Sequence, residues 1–465
     1  MAVFFVPLFL GLFTLAVLAS WLLLYRFLGP SQYRGRRTLS DPITCQVLVL
    51  GDLGRSPRMT YHALSVAKHG GKVQLVGYLE SSLHPDITAN DNIKVIALPP
   101  APGKPASVPF LLFAPIKVLS QLVHLLHALA YRTAPAEWLL VQTPPALPTL
   151  AAAALASQLR GTRLMIDWHN YGWTILAGTR GARHPLVGLA RRLETALGRA
   201  GFFHLTVTDA MGRQLRRPPY RLAAPLMPVH DRPAAIFQPL ADDDAGARRS
   251  VLERVVPAQH RGLVPRILDG SVRLVVSSTS WTPDEDFGLL LDALVEYAAA
   301  GASRSAPAPL LAIITGKGPQ RDMYVERVAA LTAAGRLPGV TVATAFLPLG
   351  DYAALLAAAD LGVCLHRSSS GVDLPMKVVD MFGAGLPVAA YAGYESFGEL
   401  VREGANGRGF ETARELAGIL ARLLGTKEGA RELAMLRRGA VHEGSRRWDE
   451  EWEGTVGLVL GLVGR

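Results

Sequence analysis

The sequence predicts an α/β protein with two Rossmann-like, doubly wound domains that face a cleft, preceded by one transmembrane helix. Three observations predict it. From Thr44 onward, short apolar runs alternate with helical stretches, as in a parallel sheet covered on both faces. The alternation restarts after a linker-like segment that begins at Pro225. The first 25 residues contain no charged side chain.

The apolar N-terminus predicts a membrane anchor. About 20 apolar residues cross the hydrocarbon core of a bilayer as a helix, and the first 25 residues meet that length. Four arginines follow between positions 26 and 37, so the positive-inside rule places the rest of the chain in the cytosol. A secretory signal would have a basic start and a clear cleavage site. We therefore predict an anchor at 1–25 and a basic juxtamembrane linker at 26–43.

Composition excludes several classes of protein. An apolar fraction of 50% with 18% charged residues excludes a disordered chain, and 465 residues exceed what one hydrophobic core usually organises. The net charge of +10 comes without basic runs interleaved with aromatic residues, so we expect membrane lipid and no nucleic acid as partner. Cys45 and Cys364 are too few for a disulfide framework.

Strand candidates divide the chain into two domains. Six apolar runs, from CQVLVL to FHLTVT, lie in the first domain, which we place at 44–235. Five more, from VRLVVSST to PVAAY, lie in the second domain, at 236–440. Doubly wound sheets bind ligands at the carboxyl ends of their strands, so we look for functional residues there.

The stretch 105–132 is apolar over much of its length. Its position between two strand candidates argues against a second membrane span, as do Lys117, His124 and His127. It is either a well-covered crossover helix or an interfacial helix that dips into the bilayer.

The first domain opens with a strand, a glycine turn and a helix. Gly51 and Gly54 bracket the turn, and Ser56 is a candidate N-cap of the helix. Free N–H groups at a helix N-terminus bind anions, and Arg55 and Arg58 add positive charge there. We predict phosphate binding at this turn; the alternative is an ordinary turn with solvated arginines.

The run LMIDWHNYGW places polar side chains at the end of another strand. Asp167 and His169 then lie at the ligand edge of the sheet. An imidazole is suited to take a proton from an attacking hydroxyl near neutral pH, so we predict that one of these two residues is the catalytic base. The alternative is a polar strand end without a catalytic role. Tyr171 and Trp173 either stack on a sugar or pack in the interior.

The second domain begins with VVSSTSWTPDEDF. Asp284 and Asp286 form a D-x-D pair, which in some enzymes holds a divalent metal. The local sequence favours a helix start instead, with a capping box and a first-turn proline formed by Thr282, Pro283 and Glu285. We therefore predict no metal site here.

Two further strand ends predict ligand contacts. The serine run from Ser277 to Ser280 follows a strand, and we predict that Ser278 lines a ligand pocket. Lys317 lies in a turn between Gly316 and Gly318. This lysine either meets a diphosphate or a base, or it is an ordinary turn residue.

A helix that starts near Pro375 follows a serine and glycine loop. Because a helix N-terminus binds anions, we predict that Ser370 and Gly371 of this loop bind phosphate. Arg367 and Lys377 would neutralise the charge of the phosphate.

Asp380 interrupts the apolar face of that helix. A carboxylate in such surroundings is costly without a partner. The vicinal hydroxyls of a ribose would satisfy both of its oxygens. The alternative is an intrahelical pair with Lys377, worth about a few tenths of a kcal/mol.

Eight segments spread over nearly the whole chain resemble one known family. They are GDLGRSPRMTYHA, LVQTPPALPTL, IDWHNYGWTIL, HDRPAAIFQPL, SSTSWTPDEDFGLLL, TGKGP, SSSGVDLPMKVVDMFGAGLPV and SRRWDEEW. On these segments the chain resembles the GT-B glycosyltransferases, and among them the chitobiosyldiphosphodolichol β-mannosyltransferase family of the endoplasmic reticulum.

The resemblance implies transfer of mannose from GDP-mannose to the chitobiose of a dolichyl-diphosphate acceptor, in lipid-linked oligosaccharide assembly for N-glycosylation. It implies inversion to a β1,4 linkage, base-assisted attack by the acceptor hydroxyl, and no metal or other cofactor. The first domain would hold the acceptor and the second the donor. The catalytic domains would face the cytosol at the endoplasmic reticulum membrane, with other transferases of the pathway as further candidate partners.

The chain departs from the wider GT-B pattern in one motif. Many relatives carry two glutamates separated by seven residues; Asp380 matches the second, whereas Val372 stands at the first and Asp373 one place later. The resemblance thus implies the ribose role for Asp380, with contact of Asp373 to the donor sugar left open. It also implies that 441–465 is a closing helix that returns to the first domain.

Two alternatives stay open at the level of the sequence. A GT-B transferase could use another nucleotide sugar, such as UDP-GlcNAc, on the same class of lipid, because nothing in the sequence reads guanine directly. A membrane scaffold could have kept the fold and lost the chemistry. The intact glycine loops, and Asp380 together with Lys377, argue against the scaffold.

Overall fold

The computed structural model describes residues 41–103, 105–107, 109–241, 245–282, 285–300 and 308–464, and of residues 110–112 the backbone only. The predicted anchor, residues 26–40 of the predicted linker, and Pro283 with Asp284 lie outside the described residues. The described chain forms two sheets, as the sequence predicts.

The first sheet has seven strands in the order β3-β2-β1-β4-β5-β6-β7. Pairing among its first six strands is parallel. The central strands are buried along most of their length, as expected where helices cover both faces. The strands are β1 Thr44–Asp52, β2 Lys72–Tyr78, β3 Ile93–Ala97, β4 Trp138–Thr143, β5 Arg163–Trp168, β6 Phe203–Thr206 and β7 Leu226–Pro228.

Helices connect these strands on both sides of the sheet. A proline opens several of them, because its fixed φ suits the first helical turn and its missing N–H needs no partner there. The helices are α1 Pro57–Lys68, α2 Pro85–Thr88, α3 Phe110–His127, α4 Thr149–Arg160, α5 Gly172–Arg180, α6 Pro185–Gly198 and α7 Asp209–Arg216.

Helix α3 is the crossover between β3 and β4 and continues into a π-helical turn, Ala128–Arg132. Within the described residues, the stretch Phe113–Arg132 alone is long and apolar enough to cross a membrane, judged by length and composition. Only 33% of its most apolar window is buried in the protein. The stretch is therefore a crossover helix, as the first alternative predicts, but it is not well covered.

The second sheet has six parallel strands in the order β10-β9-β8-β11-β12-β13. The order reverses next to β8, which is the point where doubly wound sheets bind ligands. The strands are β8 Arg273–Ser278, β9 Leu310–Thr315, β10 Val340–Ala345, β11 Leu361–Cys364, β12 Val388–Tyr391 and β13 Gly407–Phe410.

The helices of the second half again cover a buried apolar sheet. Two of them, α15 and α16, start at threonine N-caps whose side chains accept backbone N–H groups. The helices are α8 Ala245–Val255, α9 Val264–Leu268, α10 Phe287–Ala300, α11 Arg321–Ala333, α12 Leu349–Ala358, α13 Met376–Gly383, α14 Phe397–Leu400, α15 Ala413–Gly425, α16 Lys427–Ser445, α17 Trp448–Trp452 and α18 Leu458–Leu460.

The chain divides into two compact units. Of the described residues, the first unit comprises those up to Thr206, Gln214–Met227 and those from Trp452 onward; the second comprises those in Val207–Arg213 and Pro228–Glu451. The sequence predicts these boundaries at 235 and 441, eight and eleven residues away from the observed positions. The predicted returning segment, 441–465, includes the last five residues of α16, and these stay with the second unit.

Candidate active site

Asp167 is a buried carboxylate near the end of β5. Arg58 donates to both of its oxygens, from Nε to Oδ2 at 2.8 Å and from Nη2 to Oδ1 at 3.0 Å. The Nε2 atoms of His62 and His169 lie 3.3 and 3.0 Å from Oδ2. Burial opposes the charge, but Arg58 and the two histidines hold the pKa of Asp167 well below its usual range. Asp167 is therefore ionised and fully engaged by the protein.

The returning C-terminal segment sets the tautomer of His62. Trp452 Nε1 donates to His62 Nδ1 at 3.1 Å, and both side chains are fully buried. Nδ1 is thus an acceptor, so the ring proton lies on Nε2, the atom that faces Asp167. Burial lowers the pKa of His62, so the ring is neutral.

His169 is the member of this group that reaches solvent, with 22% of its side chain exposed. An ionised carboxylate only accepts hydrogen bonds, so His169 Nε2 donates to Asp167 Oδ2. Its Nδ1 is then left to accept a proton. Of the two predicted base candidates, the geometry favours His169 as base and Asp167 as the group that orients it.

The predicted phosphate turn is filled by the protein itself. The Asp52 carboxylate accepts the N–H groups of Gly54, Glu80 and Ser81 at 3.3, 3.1 and 3.2 Å, and the Ser81 hydroxyl at 2.6 Å. Hydrogen bonding to Ser81 is the largest cause that lowers the pKa of Asp52. The Gly54 N–H group is therefore not free for an external anion, and this part of the prediction is corrected.

The other residues of that turn also differ from the prediction. Gly51 belongs to β1 rather than to the turn, and buried Arg58 faces Asp167. Ser56 precedes α1, which begins at Pro57 as predicted, but its hydroxyl donates to the Asp52 carbonyl instead of capping the helix. Arg55 keeps 82% of its side chain exposed and stays a candidate phosphate contact.

Aromatic side chains support the loop that follows Asp167. Tyr171 is buried and stacks on Trp173, whose Nε1 donates to the Tyr220 hydroxyl at 3.0 Å. The Tyr220 hydroxyl in turn donates to Glu194 at 2.5 Å, and the other oxygen of Glu194 accepts the Gly172 N–H at the start of α5. For Tyr171, packing is the alternative that the structure supports.

In the second unit, Glu285 has a partner set that the sequence does not reveal. Its side chain is buried and accepts Thr279 Oγ1 at 3.0 Å, the Ser280 N–H and Lys377 Nζ. The predicted capping box is wrong, because α10 begins at Phe287 and Glu285 reaches back to the end of β8. Lys377 pairs with Glu285 rather than with Asp380.

Asp380 lies on α13 close enough to Tyr352 on α12 to interact with it electrostatically. Ser278 Oγ lies 2.9 Å from the Tyr352 hydroxyl, and Ser278 also accepts Thr315 Oγ1 at 3.2 Å. Among the residues the structure describes, none forms a hydrogen bond or ion pair with the Asp380 side chain. Burial raises the pKa of Asp380 to about 7. The carboxylate thus has unused capacity to accept hydrogen bonds.

Asp373 organises the loop before α13. Its Oδ1 accepts the hydroxyl of Ser368 and, at 3.4 Å, that of Ser370. His366 Nε2 lies 3.4 Å from Oδ2. Gly371 has a φ of +77°, a left-handed conformation that favours glycine. Asp373 therefore shapes the predicted phosphate loop from within.

The remaining predicted donor residues also lie at strand ends of the second sheet. Lys317 Nζ stands 3.7 Å from the centre of the Phe346 ring. Arg367 donates to Asp286 at 3.0 Å, so this carboxylate of the D-x-D pair is engaged by a cation. A side chain at Gly318 would meet the Ser280 carbonyl at 1.7 Å, which explains the glycine in the Lys317 turn.

One group of potential metal ligands lies elsewhere in the second unit: Asp209, His230 and Glu399. His230 Nδ1 lies 3.1 Å from Glu451, and its Nε2 lies 3.6 Å from Glu399. Hydrogen bonds with Glu399 and Glu451 raise the pKa of His230 to about 9. A ring protonated at both nitrogens joins the carboxylates by itself and is a poor metal ligand.

Sequence reasoning missed four residues of these sites. His62 stands one turn after Arg58 on α1, and this spacing of four is a signal that places both on one helix face. Glu285 was assigned a local role. Tyr352 and Trp452 carry no local signal, because their partners are distant in the chain.

Comparisons with curated proteins give close relatives. No family model matches the chain. A chitobiosyldiphosphodolichol β-mannosyltransferase of Arthroderma benhamiae is 45% identical over 427 residues, which cover 91% of this chain and 92% of the relative. Proteins of the same name from Mus musculus and Homo sapiens are 39% and 38% identical. These alignments cover 95% and 88% of this chain and 94% and 90% of the relatives.

Solved structures agree in fold. A sucrose-phosphate synthase from Thermosynechococcus elongatus superposes with a TM-score of 0.62 at 15% identity and covers 91% of this chain and 99% of its own. Anabaena HepE in complex with UDP and glucose gives 0.58 at 16% identity, covering 90% and 100%. At these identities the likeness shows the two-domain GT-B fold and nothing further.

Proposed function

Since the chain belongs to the chitobiosyldiphosphodolichol β-mannosyltransferase family, we propose that it transfers mannose from GDP-mannose to GlcNAc2-diphosphate-dolichol and forms a β1,4 linkage. The enzyme class, a hexosyltransferase, follows from the family. The observation that carries the proposal is 45% identity maintained over 91% of the chain, which includes both candidate sites. The geometry of each site supplies a role for its side chains.

On the acceptor side, the GlcNAc hydroxyl attacks the anomeric carbon of the mannose. His169 Nδ1 takes the hydroxyl proton while Asp167 holds Nε2 and stabilises the imidazolium that forms. The bond from the anomeric carbon to the diphosphate oxygen breaks, and its electron pair leaves with GDP. Displacement from the opposite face converts an α-linked donor into a β-linked product.

On the donor side, the nucleotide lies along the carboxyl edge of the second sheet. Asp380 accepts the two ribose hydroxyls, which replace the donors that the protein does not supply. The loop with Ser370 and Gly371 and the N-terminus of α13 bind the diphosphate. Arg367 and Lys317 are positive groups on the same edge that stabilise the charge of departing GDP.

We propose that the leaving diphosphate is stabilised without a metal. Within the described residues of this edge, Asp286 pairs with Arg367, Glu285 pairs with Lys377, and Asp373 is engaged by two hydroxyls. Paired carboxylates are a poor donor set for a divalent cation. Fixed cations and N–H groups take that role in this proposal.

We further place the protein at the endoplasmic reticulum membrane, with both units on the cytosolic side and residues 1–25 as the single-pass anchor. The acceptor is a lipid, so membrane lipid is a partner in this proposal. Other transferases that extend the same lipid-linked sugar are further candidate partners.

The test uses purified full-length protein and a phytanyl-diphosphate chitobiose acceptor. GDP-mannose and UDP-GlcNAc are offered in parallel, and the products are weighed by mass spectrometry. We expect one added hexose with GDP-mannose alone, removable by β-mannosidase. Addition from UDP-GlcNAc alone would replace the proposed donor, and no product from folded protein would favour the scaffold alternative.

A further inference from the structure

Helix α3 turns an apolar face outward. The side chains of Ile116, Leu119 and Val123 are 60%, 61% and 52% exposed, and their spacing of three and four residues places them on one side of the helix. Leu125, on the opposite side, is buried, and so is Leu126, which continues the side of Val123 one turn further along the helix. We name Ile116, Leu119 and Val123 the outer face of α3. Such a row of exposed aliphatic residues usually marks an interaction surface.

The N-terminal half of α3 lies at the ligand edge of the first sheet. Gln121 Nε2 donates to the hydroxyl of Tyr78, the last residue of β2, at 3.1 Å. The chain enters α3 from the carboxyl end of β3 and leaves it toward the amino end of β4. Since parallel strands end at the same edge, the outer face stands on the side of the unit that carries His169.

The sequence of α3 and its flanking segments carries charge of one sign. From residue 92 to residue 136 the sequence contains four basic residues and no aspartate or glutamate. Lys117, beside Ile116, is exposed, and so is Arg132 at the end of the helical stretch. An apolar face whose flanking sequence carries basic and no acidic residues is complementary to the headgroups and upper acyl chains of an anionic bilayer. A protein partner would not explain why aspartate and glutamate are absent from this stretch.

We propose that the outer face of α3 docks on the surface of an anionic lipid bilayer. The helix lies in the interface and does not span, because Leu125 on its inner face is buried and its C-terminal end, with Leu126 and Leu129, is buried in the unit as well. An anchor at 1–25 tethers a domain without orienting it, whereas this contact turns the edge with His169 toward the headgroups. The role of this contact rests on the proposed function, because a lipid acceptor linked through a diphosphate presents its sugar at the headgroups.

The test places a probe on the outer face of the full-length protein. Both native cysteines are buried, so a single Leu119→Cys side chain can carry a nitrobenzoxadiazole label. In phosphatidylcholine vesicles with phosphatidylserine, we expect a blue-shifted emission that brominated lipids quench by roughly half or more. Met323→Cys on α11, 53% exposed in the second unit, is the matched control and should show little quenching.

Equal quenching at positions 119 and 323 would overturn the proposal. A blue shift at position 119 that brominated lipid does not affect would also overturn it, because another part of the chain or a second copy would then cover the face. A second variant, Ile116→Ser with Leu119→Ser, should lower turnover of acceptor embedded in vesicles several-fold and leave turnover of a short-chain soluble acceptor unchanged.

Equal turnover of the embedded acceptor by variant and wild type would contradict that expectation. The two proposals can fail separately. If wild-type protein transferred no sugar at all, the proposed function would fail, while quenching at position 119 would still decide the docking.

Discussion

Asp167 in the first unit and Asp380 in the second both lie near strand ends, but their surroundings are opposite. Asp167 receives N–H groups from Arg58, His62 and His169, and its pKa stays well below the usual range. Asp380 receives none from the described residues, and burial raises its pKa to about 7. A carboxylate satisfied by its own protein serves as structural support for a neighbour. A carboxylate left unsatisfied at a ligand edge is suited to bind a ligand that brings hydroxyl groups.

Asp167→Asn is the sharpest test of the first half of this comparison. The amide keeps the shape but leaves Arg58 buried without a counter-charge, which costs about 3–5 kcal/mol of the free energy of unfolding. Urea unfolding at pH 7 measures the loss. Asp380→Asn is the matched control, since it removes a charge that no described side chain compensates. Equal destabilisation by the two variants would show that the two sites do not differ in this way.

His169→Ala tests the division of labour inside the first unit. Loss of a general base lowers kcat by about 10²–10⁴-fold, with unfolding little changed because His169 is partly exposed. His84→Ala, which removes a 46% exposed histidine of the same unit, should retain wild-type turnover. Steady-state kinetics with GDP-mannose separate kcat from KM. A variant that loses affinity for acceptor at unchanged kcat would argue for a binding role.

Asp380→Asn tests the second half of the comparison on the donor. An amide offers one acceptor oxygen instead of two and carries no charge, so one ribose hydroxyl can no longer donate to residue 380, and we expect the KM for GDP-mannose to rise about 10–100-fold. Isothermal titration with GDP measures the same loss without turnover. The KM for acceptor is the internal control. An unchanged affinity for GDP would remove Asp380 from the nucleotide site.

The pH dependence of stability gives a second test at the same residue. The folded-state pKa of Asp380 is about 7 against 3.8 for the free side chain. The folded state therefore holds this proton more tightly, and its contribution to stability falls as pH rises from about 4 to about 7. Asp380→Asn should gain stability relative to wild type between pH 4 and pH 8, by up to about 4 kcal/mol if the whole shift is realised. If the difference in stability between Asp380→Asn and wild type did not change with pH, the pKa of Asp380 would be the same in the folded and unfolded states.

Local pattern was enough to predict both sheets, the helix start at Pro57 and, within one residue, the helix start near Pro375, because those depend on periodicity and proline position. Side-chain partners were not predictable in this way. The spacing of Thr282 and Glu285 favours a capping box, but Glu285 instead pairs with Lys377, 92 residues later. A buried carboxylate takes the strongest donor that tertiary packing supplies, whatever the local alternative.

Arg58 illustrates the same limit in the first unit. Its position beside a glycine turn suggests phosphate binding, whereas its partner Asp167 lies 109 residues away. Asp52 takes the N–H groups that a phosphate would need. The sequence thus indicates the strand end where polar residues meet. The fold is needed to show that Arg58 and Asp167 neutralise each other there.

Trp452→Phe tests whether the hydrogen bond from Trp452 to His62 helps to hold Asp167 and its partners in place. Its expected effect is the smallest. Without the indole N–H, Nδ1 of buried His62 loses its donor, and the ring can adopt the tautomer whose Nε2 lone pair faces Asp167. We expect kcat to fall about twofold to tenfold with about 1 kcal/mol lost in stability. Imidazole ¹⁵N NMR should show His62 changing from one tautomer to a mixture, which a purely structural role of Trp452 would not produce.

The control is Trp168→Phe. It removes the indole hydrogen bond to His204 in the same unit and should leave the His62 tautomer unchanged. If His62 keeps its tautomer in Trp452→Phe, Asp167 alone orients that ring, and the returning segment contributes packing only.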